Sequence, residues 1–443
     1  MSELALLGGK PVREEPFPAY KTIDEDDVKV VQEVMESNIL SRYLGAWHPH
    51  FYGGEQVQAF EEEWANAFDA KHAAAVNSAT SGLYCAVGAA GLGPGDEMIV
   101  PPITMSASAT AAIIFNGVPV FADVDPKTFC IDPESIRAKV TPRTKAIMVV
   151  HIAGQAADMD PIMEIANKHN LVVIEDCAQA PYATYKGRQV GTLGHIGVFS
   201  LNYHKHIHTG EGGVVTTNDE NLIERIQLIR NHGEVVAERK GVKNIANIIG
   251  FNFRLGEIEA AIGRRQLFKG KSLVEQRQNN VAYLEQRLEG LPGFTMPYVP
   301  QYNDHVYYIH AMSYDHHVLG VSKDTVVEAL QAELPLTALR EDEGTLLHGK
   351  FGRPLYLLPM YQTLTGYGEL GCPFKCPHYS GTTDYRPGLC PAAEKVHERI
   401  VSHEMMRPPM TPTDLDSIVS AFHKVLEKPE ILRDIDKKKN RSI

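Results

Sequence analysis

The stretch LVVIEDCAQA, residues 171–180, is an apolar run that ends in two carboxylates, Glu175 and Asp176. Segments of helical length, such as 160–169, separate it from its neighbours. Short runs that are apolar on both faces are typical of parallel strands buried between helices. The chain contains further runs of this kind, namely HAAAVN at 72–77, EMIVP at 97–101, VPVFADV at 118–124 and KAIMVVH at 145–151. The pattern therefore predicts an α/β fold with a mostly parallel sheet.

Two more strands are predicted at GVFSL, 197–201, and GGVVTT, 212–217, on either side of a loop rich in histidine and glycine. Sheets of this type bind their ligands at the carboxyl ends of the strands. Residues that directly follow the strands are therefore the first candidates for a functional site.

The length of 443 residues predicts two domains, because a typical domain has about 100–200 residues. The strand–helix alternation fades after an amphipathic helix around residues 254–267, and a second helix near 276–290 ends at the LPG of 291–293. We place the boundary near residue 275. This division gives a large domain with an N-terminal arm at 1–275 and a smaller α+β C-terminal domain at 276–443.

The charge balance argues against binding to nucleic acid. Lys and Arg number 43 and Asp and Glu number 55, which gives a net charge of −12. A negative net charge disfavours a non-specific grip on phosphates. The sequence shows neither a signal-peptide pattern nor an apolar run long enough for a membrane span. We therefore expect no nucleic acid or membrane as a partner, and a cytoplasmic location.

The segment NSATSG, 77–82, follows a predicted strand and opens a predicted helix. Backbone N–H groups at a helix N-terminus, together with the hydroxyls of Ser78 and Thr80, can bind a phosphate. An ordinary Ser/Thr helix cap explains the same residues.

The carboxylate of Asp176 ends a buried strand, where water solvates it poorly. A protonated heteroaromatic nitrogen is one partner that keeps such a group ionised, and Gln179 can then reach a phenolic oxygen on the same ring. Alternatively, Asp176 is a capping or turn residue.

The segment FSLNYHKHIHTGEGG, 199–213, places Lys205 in a polar loop before a GEGG turn. A nucleophilic lysine must be free to form an imine, and the glycines give the backbone room beside it. A surface lysine is the alternative. The segment GFNFRLGEIEAAIG, 250–263, places Asn252 and Arg254 before a helix, and an ordinary helix start explains them equally.

Taken in their order along the chain, these motifs resemble the DegT/StrS family of pyridoxal-phosphate-dependent sugar aminotransferases. The resemblance runs from LLGGKPVR at 6–13 to MRPPMTP at 406–412. It includes GPGDEMIVPPIT, PVFADVDP, HIAGQAADMD, EDCAQA, S-x4-K-x4-GEGG and GFNFRLGEIEAAIGRRQL. It implies the fold-type I architecture of pyridoxal-phosphate (PLP) transferases.

The resemblance also implies a role for each site residue. Lys205 carries PLP as a Schiff base, Asp176 pairs with the pyridinium nitrogen and Gln179 contacts the ring oxygen. The phosphate is held by Ala79, Thr80 and Ser200, and by Asn252 from the neighbouring subunit of a homodimer. The implied reaction moves an amino group from glutamate or glutamine to a keto-sugar, nucleotide-linked or otherwise, or to a keto-cyclitol, for aminosugar, glycan or secondary-metabolite biosynthesis.

Three positions depart from the family pattern. Met105, after Thr104, stands where the family has an aromatic residue over the cofactor ring, and a thioether can cover a ring face without aromatic stacking. Leu201 replaces a usual Phe, and Asn202 stands where members often carry His.

Two other functions stay open. The chain is alternatively a catalytically altered PLP-binding regulatory module, or a PLP-dependent sugar dehydratase. Lys205 argues against the dehydratase, because that branch has histidine in place of the lysine.

We expect no metal site. His204, His206 and His208 alternate around Lys205, but no fourth ligand is evident, so packing or surface roles are expected for them. Cys372, Cys376 and His378, with Cys390 further on, have looser spacing than ordinary zinc sites, and a prolyl loop near the active site explains them as well.

Overall fold

A computed structural model describes residues 3–440 of the protein. The strands are, in chain order, β1 His72–Val76, β2 Glu97–Val100, β3 Val118–Phe121, β4 Thr144–Val150, β5 Val172–Asp176, β6 Thr184–Tyr185, β7 Arg188–Gln189, β8 Ile196–Ser200, β9 Gly213–Thr217, β10 Phe294–Thr295, β11 Asn303–Asp304, β12 His310–Tyr314, β13 Leu347–His348 and β14 Ile400–His403. The α-helices are α1 Glu25–Ser37, α2 Glu55–Ala67, α3 Ala79–Ala89, α4 Ala107–Ile114, α5 Pro133–Lys139, α6 Met159–His169, α7 Glu220–Arg230, α8 Gly233–Lys240, α9 Glu257–Leu288, α10 His316–Leu319, α11 Lys323–Glu333, α12 Pro359–Gln362, α13 Pro391–Arg399, α14 Pro412–Leu426 and α15 Pro429–Asn440.

The central sheet has seven strands in the order β1-β9-β8-β5-β4-β2-β3. Five neighbouring strands of this sheet, β8, β5, β4, β2 and β3, run parallel, and β9 runs antiparallel to both β1 and β8. The apolar runs of the sequence form these strands, and their residues are almost all buried. The predicted α/β fold with a mostly parallel mixed sheet is confirmed.

Parallel pairing brings the carboxyl ends of β4, β5 and β8 to one edge. Val150 at the end of β4 pairs with Asp176 on β5, and Asp176 pairs with Val198 two residues before the end of β8. The residues that follow these strands therefore meet at one place, which is where the site forms.

Two smaller sheets complete the fold. The C-terminal part contains an antiparallel sheet in the order β10-β12-β14-β13, and a three-stranded sheet has the order β11-β6-β7. None of the helices within residues 3–440 combines the length and apolar character needed to cross a bilayer.

Helix α9 is a single element of 32 residues, whereas the sequence predicts two helices, around 254–267 and near 276–290. The stretch between them, 268–275, stays helical, and its one glycine, Gly270, packs against Tyr182. Gly263, inside the first predicted helix, lies against the ring of Phe60. The predicted end of the second helix before the LPG of 291–293 agrees with the last helical residue, Leu288.

The predicted domain boundary at residue 275 lies inside α9, and it stays a prediction. The buried apolar residues form two large clusters. Leu4 and Phe17 of the N-terminal arm pack in the cluster of the C-terminal part, whereas Tyr356 and Tyr385 pack in the cluster around the central sheet. Each half of the predicted division thus lends a segment to the core of the other.

Candidate active site

A cavity of about 540 Å³ opens at the carboxyl edge of the central sheet. The sequence named eight site residues, and seven of them line this cavity: Ala79, Thr80, Met105, Asp176, Gln179, Ser200 and Lys205. The eighth, Asn252, is absent from the lining. The fold thus brings together residues that are up to 126 positions apart, from 79 to 205.

Asp176 is a buried carboxylate at the end of β5. Its Oδ2 accepts a 2.7 Å hydrogen bond from Ser108 Oγ, and its Oδ1 accepts one of 3.1 Å from the backbone N–H of Ala178. Burial raises the pKa of Asp176, although both hydrogen bonds and the nearby charge of Lys205 act in the opposite direction. A cationic partner in the cavity would stabilise the ionised form.

Ser108 is a site residue that the sequence did not reveal. It lies fully buried in α4, and Thr104 Oγ1 is 2.9 Å from its hydroxyl oxygen. Because Ser108 Oγ donates its proton to Asp176, Thr104 must donate to Ser108. The spacing of four residues between Thr104 and Ser108 is a weak signal in the sequence, because Thr104 lies before the start of α4.

The neighbouring carboxylate, Glu175, is fully buried and has a structural role. It accepts hydrogen bonds from the backbone N–H groups of Gly191, Leu193 and Gly194. The His151 Nε2–H also donates to it, because His151 Nδ1 already accepts from the N–H of Ala157. Glu175 thereby holds the chain between β7 and β8 against the end of β5.

Gln179 is fixed through its side-chain oxygen, which accepts a 2.8 Å hydrogen bond from the backbone N–H of Ala153. Ala153 adopts the left-handed conformation with a φ of 58°, which costs a non-glycine residue about 1 kcal/mol or more. The carbonyl of Ala153 accepts from the N–H of Tyr308. One strained residue therefore orients both Gln179 and Tyr308, and leaves the Gln179 Nε2 amide as a donor for a ligand.

Lys205 lies in the loop between β8 and β9, with its Nζ 4.3 Å from the centre of the Tyr308 ring. A cation over the face of an aromatic ring is attracted by the ring quadrupole. The loop is held next to Lys205, because Tyr20 donates to the carbonyl of His206 and His206 Nε2 bonds to the carbonyl of Val306. These contacts define where the amine lies.

The three histidines around Lys205 have different environments. His206 is fully buried, and burial lowers its pKa well below its usual value, so the ring is neutral. His204 lines the cavity, whereas His208 does not. Within residues 3–440, no group of side chains placed to share a metal ion includes any of the three.

The N-terminus of α3 opens at the cavity. The Ser78 hydroxyl caps the helix by accepting from the N–H of Ser81, as the ordinary cap interpretation predicts, while Ala79 and Thr80 line the cavity. A Cβ at Gly213 would lie 2.7 Å from the backbone nitrogen of Ala79. The last glycine of GEGG is therefore required for the close approach of β9 to this helix end.

Asn252 is exposed and lies outside the cavity lining. Its side-chain oxygen accepts from Arg254 Nε at 2.7 Å, and its carbonyl accepts from Asn77 Nδ2 at 3.5 Å.

Met105, at the position of the missing aromatic residue, is 72% exposed on the cavity wall. Phe351 and Tyr308, which the sequence did not indicate, supply aromatic rings to the same wall.

The cysteine-rich segment covers the edge strand β3. Tyr385 donates to the carbonyl of Pro119 on that strand, and Cys376 Sγ accepts from Asn116 Nδ2. Cys390 is buried at the start of α13. Among the described residues, the groups placed to share a metal ion include none of these cysteines.

The cavity fits PLP on three observations. The N-terminus of α3 offers backbone N–H groups for a phosphate. Asp176 is a buried carboxylate that accepts two hydrogen bonds, and no cationic side chain within residues 3–440 forms an ion pair with it, as a ring nitrogen would. The volume of about 540 Å³ is large enough for a cofactor and a small substrate. A lysine loop, a buried aspartate and a helix N-terminus at the carboxyl edge of such a sheet define the fold-type I class of PLP-dependent transferases.

Comparisons with known proteins define the family. The sequence profile of the DegT/DnrJ/EryC1/StrS aminotransferase family matches residues 21–376. GDP-perosamine synthase of Caulobacter vibrioides is 39% identical over 312 residues, covering 70% of this chain and 80% of that protein. L-glutamine:2-deoxy-scyllo-inosose aminotransferase of Micromonospora echinospora is 32% identical over 445 residues, covering 98% and 100%. The solved structure of DesI in the presence of its TDP-sugar product has a TM-score of 0.79 at 26% identity, covering 99% of each chain.

The chain therefore belongs to the DegT/DnrJ/EryC1/StrS aminotransferase family, and it is an aminotransferase. The resemblance that the sequence motifs indicated is confirmed. Members of this family are PLP-dependent enzymes.

Proposed function

We propose that the protein uses PLP to move an amino group from glutamate or glutamine to a keto-sugar, free or nucleotide-linked, or to a keto-cyclitol. The single observation that carries the proposal is that Lys205 and Asp176 line one cavity beside the N-terminus of α3. The names of the relatives support the acceptor class, since one is a GDP-perosamine synthase and another acts on 2-deoxy-scyllo-inosose.

Each side chain has a distinct task in this proposal. Asp176 holds the ring nitrogen in its protonated form, and Gln179 donates from Nε2 to the ring oxygen. Ala79, Thr80 and Ser200 hold the phosphate, while Met105 covers a ring face. When bound, PLP withdraws electrons from the carbon that carries the amino group.

Lys205 carries the cofactor and then moves protons. With PLP and an amino donor bound, its Nζ would be the base that accepts the α-proton of the donor, and it would give that proton back within the same cavity. The face of the Tyr308 ring, 4.3 Å from Nζ, helps to fix the position of the amine within the cavity. The same steps in reverse deliver the amino group to the ketone, so that one amino acid and one ketone give one 2-oxo acid and one amine.

The proposal includes a homodimer with shared active sites, in which Asn252 reaches the phosphate of the neighbouring subunit. The exposure of Asn252 and its absence from the cavity of its own chain support this arrangement. The cytoplasmic location expected from the sequence is part of the same proposal.

The decisive test is spectroscopic. Purified protein loaded with PLP should show a visible absorbance that changes when L-glutamate or L-glutamine is added, and returns on addition of 2-deoxy-scyllo-inosose. The reverse reaction, from GDP-perosamine to 2-oxoglutarate, tests a nucleotide-linked substrate. Lys205→Ala should abolish both the spectral change and turnover, and normal turnover in that variant would refute the proposal.

A further inference from the structure

His204 directly precedes Lys205 and lines the same cavity. Its ring is in contact with the ring of Tyr203, with 3.8 Å between the centroids. On its other side, Nδ1 lies 3.2 Å from Nη2 of Arg340, which comes from the C-terminal part of the chain. The imidazole is therefore held between two groups at the mouth of the active site.

The contact with Arg340 determines which ring nitrogen carries the proton. A guanidinium has only donors, so His204 Nδ1 must accept and carries no hydrogen. Burial lowers the pKa of His204, and the charge of Arg340 acts in the same direction, although Glu343 and Glu404 oppose it. The ring is thus neutral, with its one polar hydrogen on Nε2. No group among the described residues accepts a hydrogen bond from that atom.

Two carboxylates form ion pairs with Arg340. Its Nε and Nη2 donate to the carboxylate of Glu343, and its Nη1 donates to Glu404 at 2.6 Å. Burial raises the pKa of Glu404, but Arg407 and Arg340 outweigh it and bring the pKa to about 2. The cavity therefore receives a neutral donor from this side.

A neutral N–H can donate to a hydroxyl or carbonyl oxygen, and it lacks the positive charge that forms the strongest contacts with the carboxylates of glutamate or glutamine. Tyr203, 49% exposed, offers a ring face beside it, which suits the C–H face of a hydroxylated ring.

We propose that His204 binds the acceptor substrate by donating a hydrogen bond from Nε2–H to an oxygen of the sugar or cyclitol ring, and that Arg340 positions His204 for this contact. The proposal rests on the aminotransferase function proposed above. It assigns a binding role to a histidine for which the sequence indicated packing or a surface position.

The kinetic test separates the two half-reactions. His204→Phe keeps a ring against Tyr203 but removes the donor, and His204→Gln keeps an N–H near the position of Nε2. With L-glutamine, the rate of the spectral change should stay within about threefold of wild type in both variants. With 2-deoxy-scyllo-inosose or, in reverse, GDP-perosamine, His204→Phe should raise KM about tenfold and His204→Gln should restore most of the loss.

His208→Phe is the matched control, because His208 lies in the same loop but outside the cavity lining. It should change neither half-reaction. Equal losses in both half-reactions, or no rise in KM, would overturn the role of His204. A wild-type enzyme that accepts the amino group of glutamine but passes it to neither ring substrate would overturn the acceptor assignment. A wild-type enzyme without any response to amino donors would refute the proposed function itself.

Nitrogen NMR of ring-labelled histidine gives a readout that needs no turnover. The His204 resonances, assigned by their loss in His204→Phe, should report a neutral ring protonated at Nε2 in the ligand-free protein. Arg340→Leu should release this preference and populate both tautomers. A ring protonated at Nδ1 in the wild type would overturn the proposal.

Discussion

Ser108 Oγ donates a 2.7 Å hydrogen bond to Oδ2 of Asp176 where both residues are buried. The bond helps to keep a desolvated carboxylate ionised, because it opposes the effect of burial on the pKa of Asp176. Asp176 thus lines the cavity, whereas Ser108, which Thr104 contacts from behind, stabilises the ionised form of its carboxylate.

Ser108→Ala should therefore lower kcat/KM about tenfold or more, because hydrogen bonds to charged groups contribute about 1.5–3 kcal/mol. The affinity for PLP, measured by titration of the visible absorbance, should fall with it. Ser106→Ala is the control, since Ser106 is exposed in the same segment and forms no cap hydrogen bond. An equal effect in both variants would show that the segment, and not the bond to Asp176, matters.

Asp176→Asn should reduce kcat/KM by several orders of magnitude while the protein still binds PLP, since one well-placed electrostatic group can contribute about 3 kcal/mol or more. A fall of less than about tenfold would show that Asp176 is not the partner of the ring nitrogen.

The same substitution should stabilise the ligand-free protein. Burial raises the pKa of Asp176 in the folded state above its value in the unfolded chain. Between those two pKa values, the folded state keeps a proton that the unfolded chain loses, so the stability of the wild type falls as pH rises through this window. Asn has no such proton. In urea unfolding without PLP, the free energy of unfolding of Asp176→Asn should rise relative to that of the wild type from acidic to neutral pH. A difference in free energy that stays constant with pH would contradict this account.

Gly213→Ala tests the close approach of β9 to α3. The added Cβ would lie 2.7 Å from the nitrogen of Ala79 and 2.9 Å from the carbonyl oxygen of Phe199, both of which are backbone atoms that cannot rotate away. The free energy of unfolding should fall by about 1–3 kcal/mol, and the affinity for PLP should fall more than tenfold. Gly93→Ala is the control, because the nearest atom to its Cβ is 3.9 Å away.

The sequence predicted the elements whose signals are local. Short contiguous segments of sequence identify the strands, the residues at their carboxyl ends and the GEGG turn. The family resemblance added Met105 and Ser200. Ser108, Tyr308 and Arg340 could not be predicted, because their roles arise from packing between segments far apart in the chain. Arg340, for example, is 136 positions from His204, and nothing near either residue signals the contact.

The last prediction concerns Asn252 and the subunit that it serves. Its carbonyl accepts a long hydrogen bond from Asn77, which precedes the N-terminus of α3 in the same chain, yet Asn252 itself does not line the cavity. In a two-fold dimer, each chain can complete the pocket of the other. Mixing Lys205→Ala with Asn252→Ala should then create one normal site in every mixed dimer, with Lys205 from one chain and Asn252 from the other. Regained turnover, measured after heterodimers are isolated with two different tags, would support the shared site. Heterodimers without activity would show that Asn252 acts within its own subunit, and a monomer in light scattering that still turns over would refute the shared dimer.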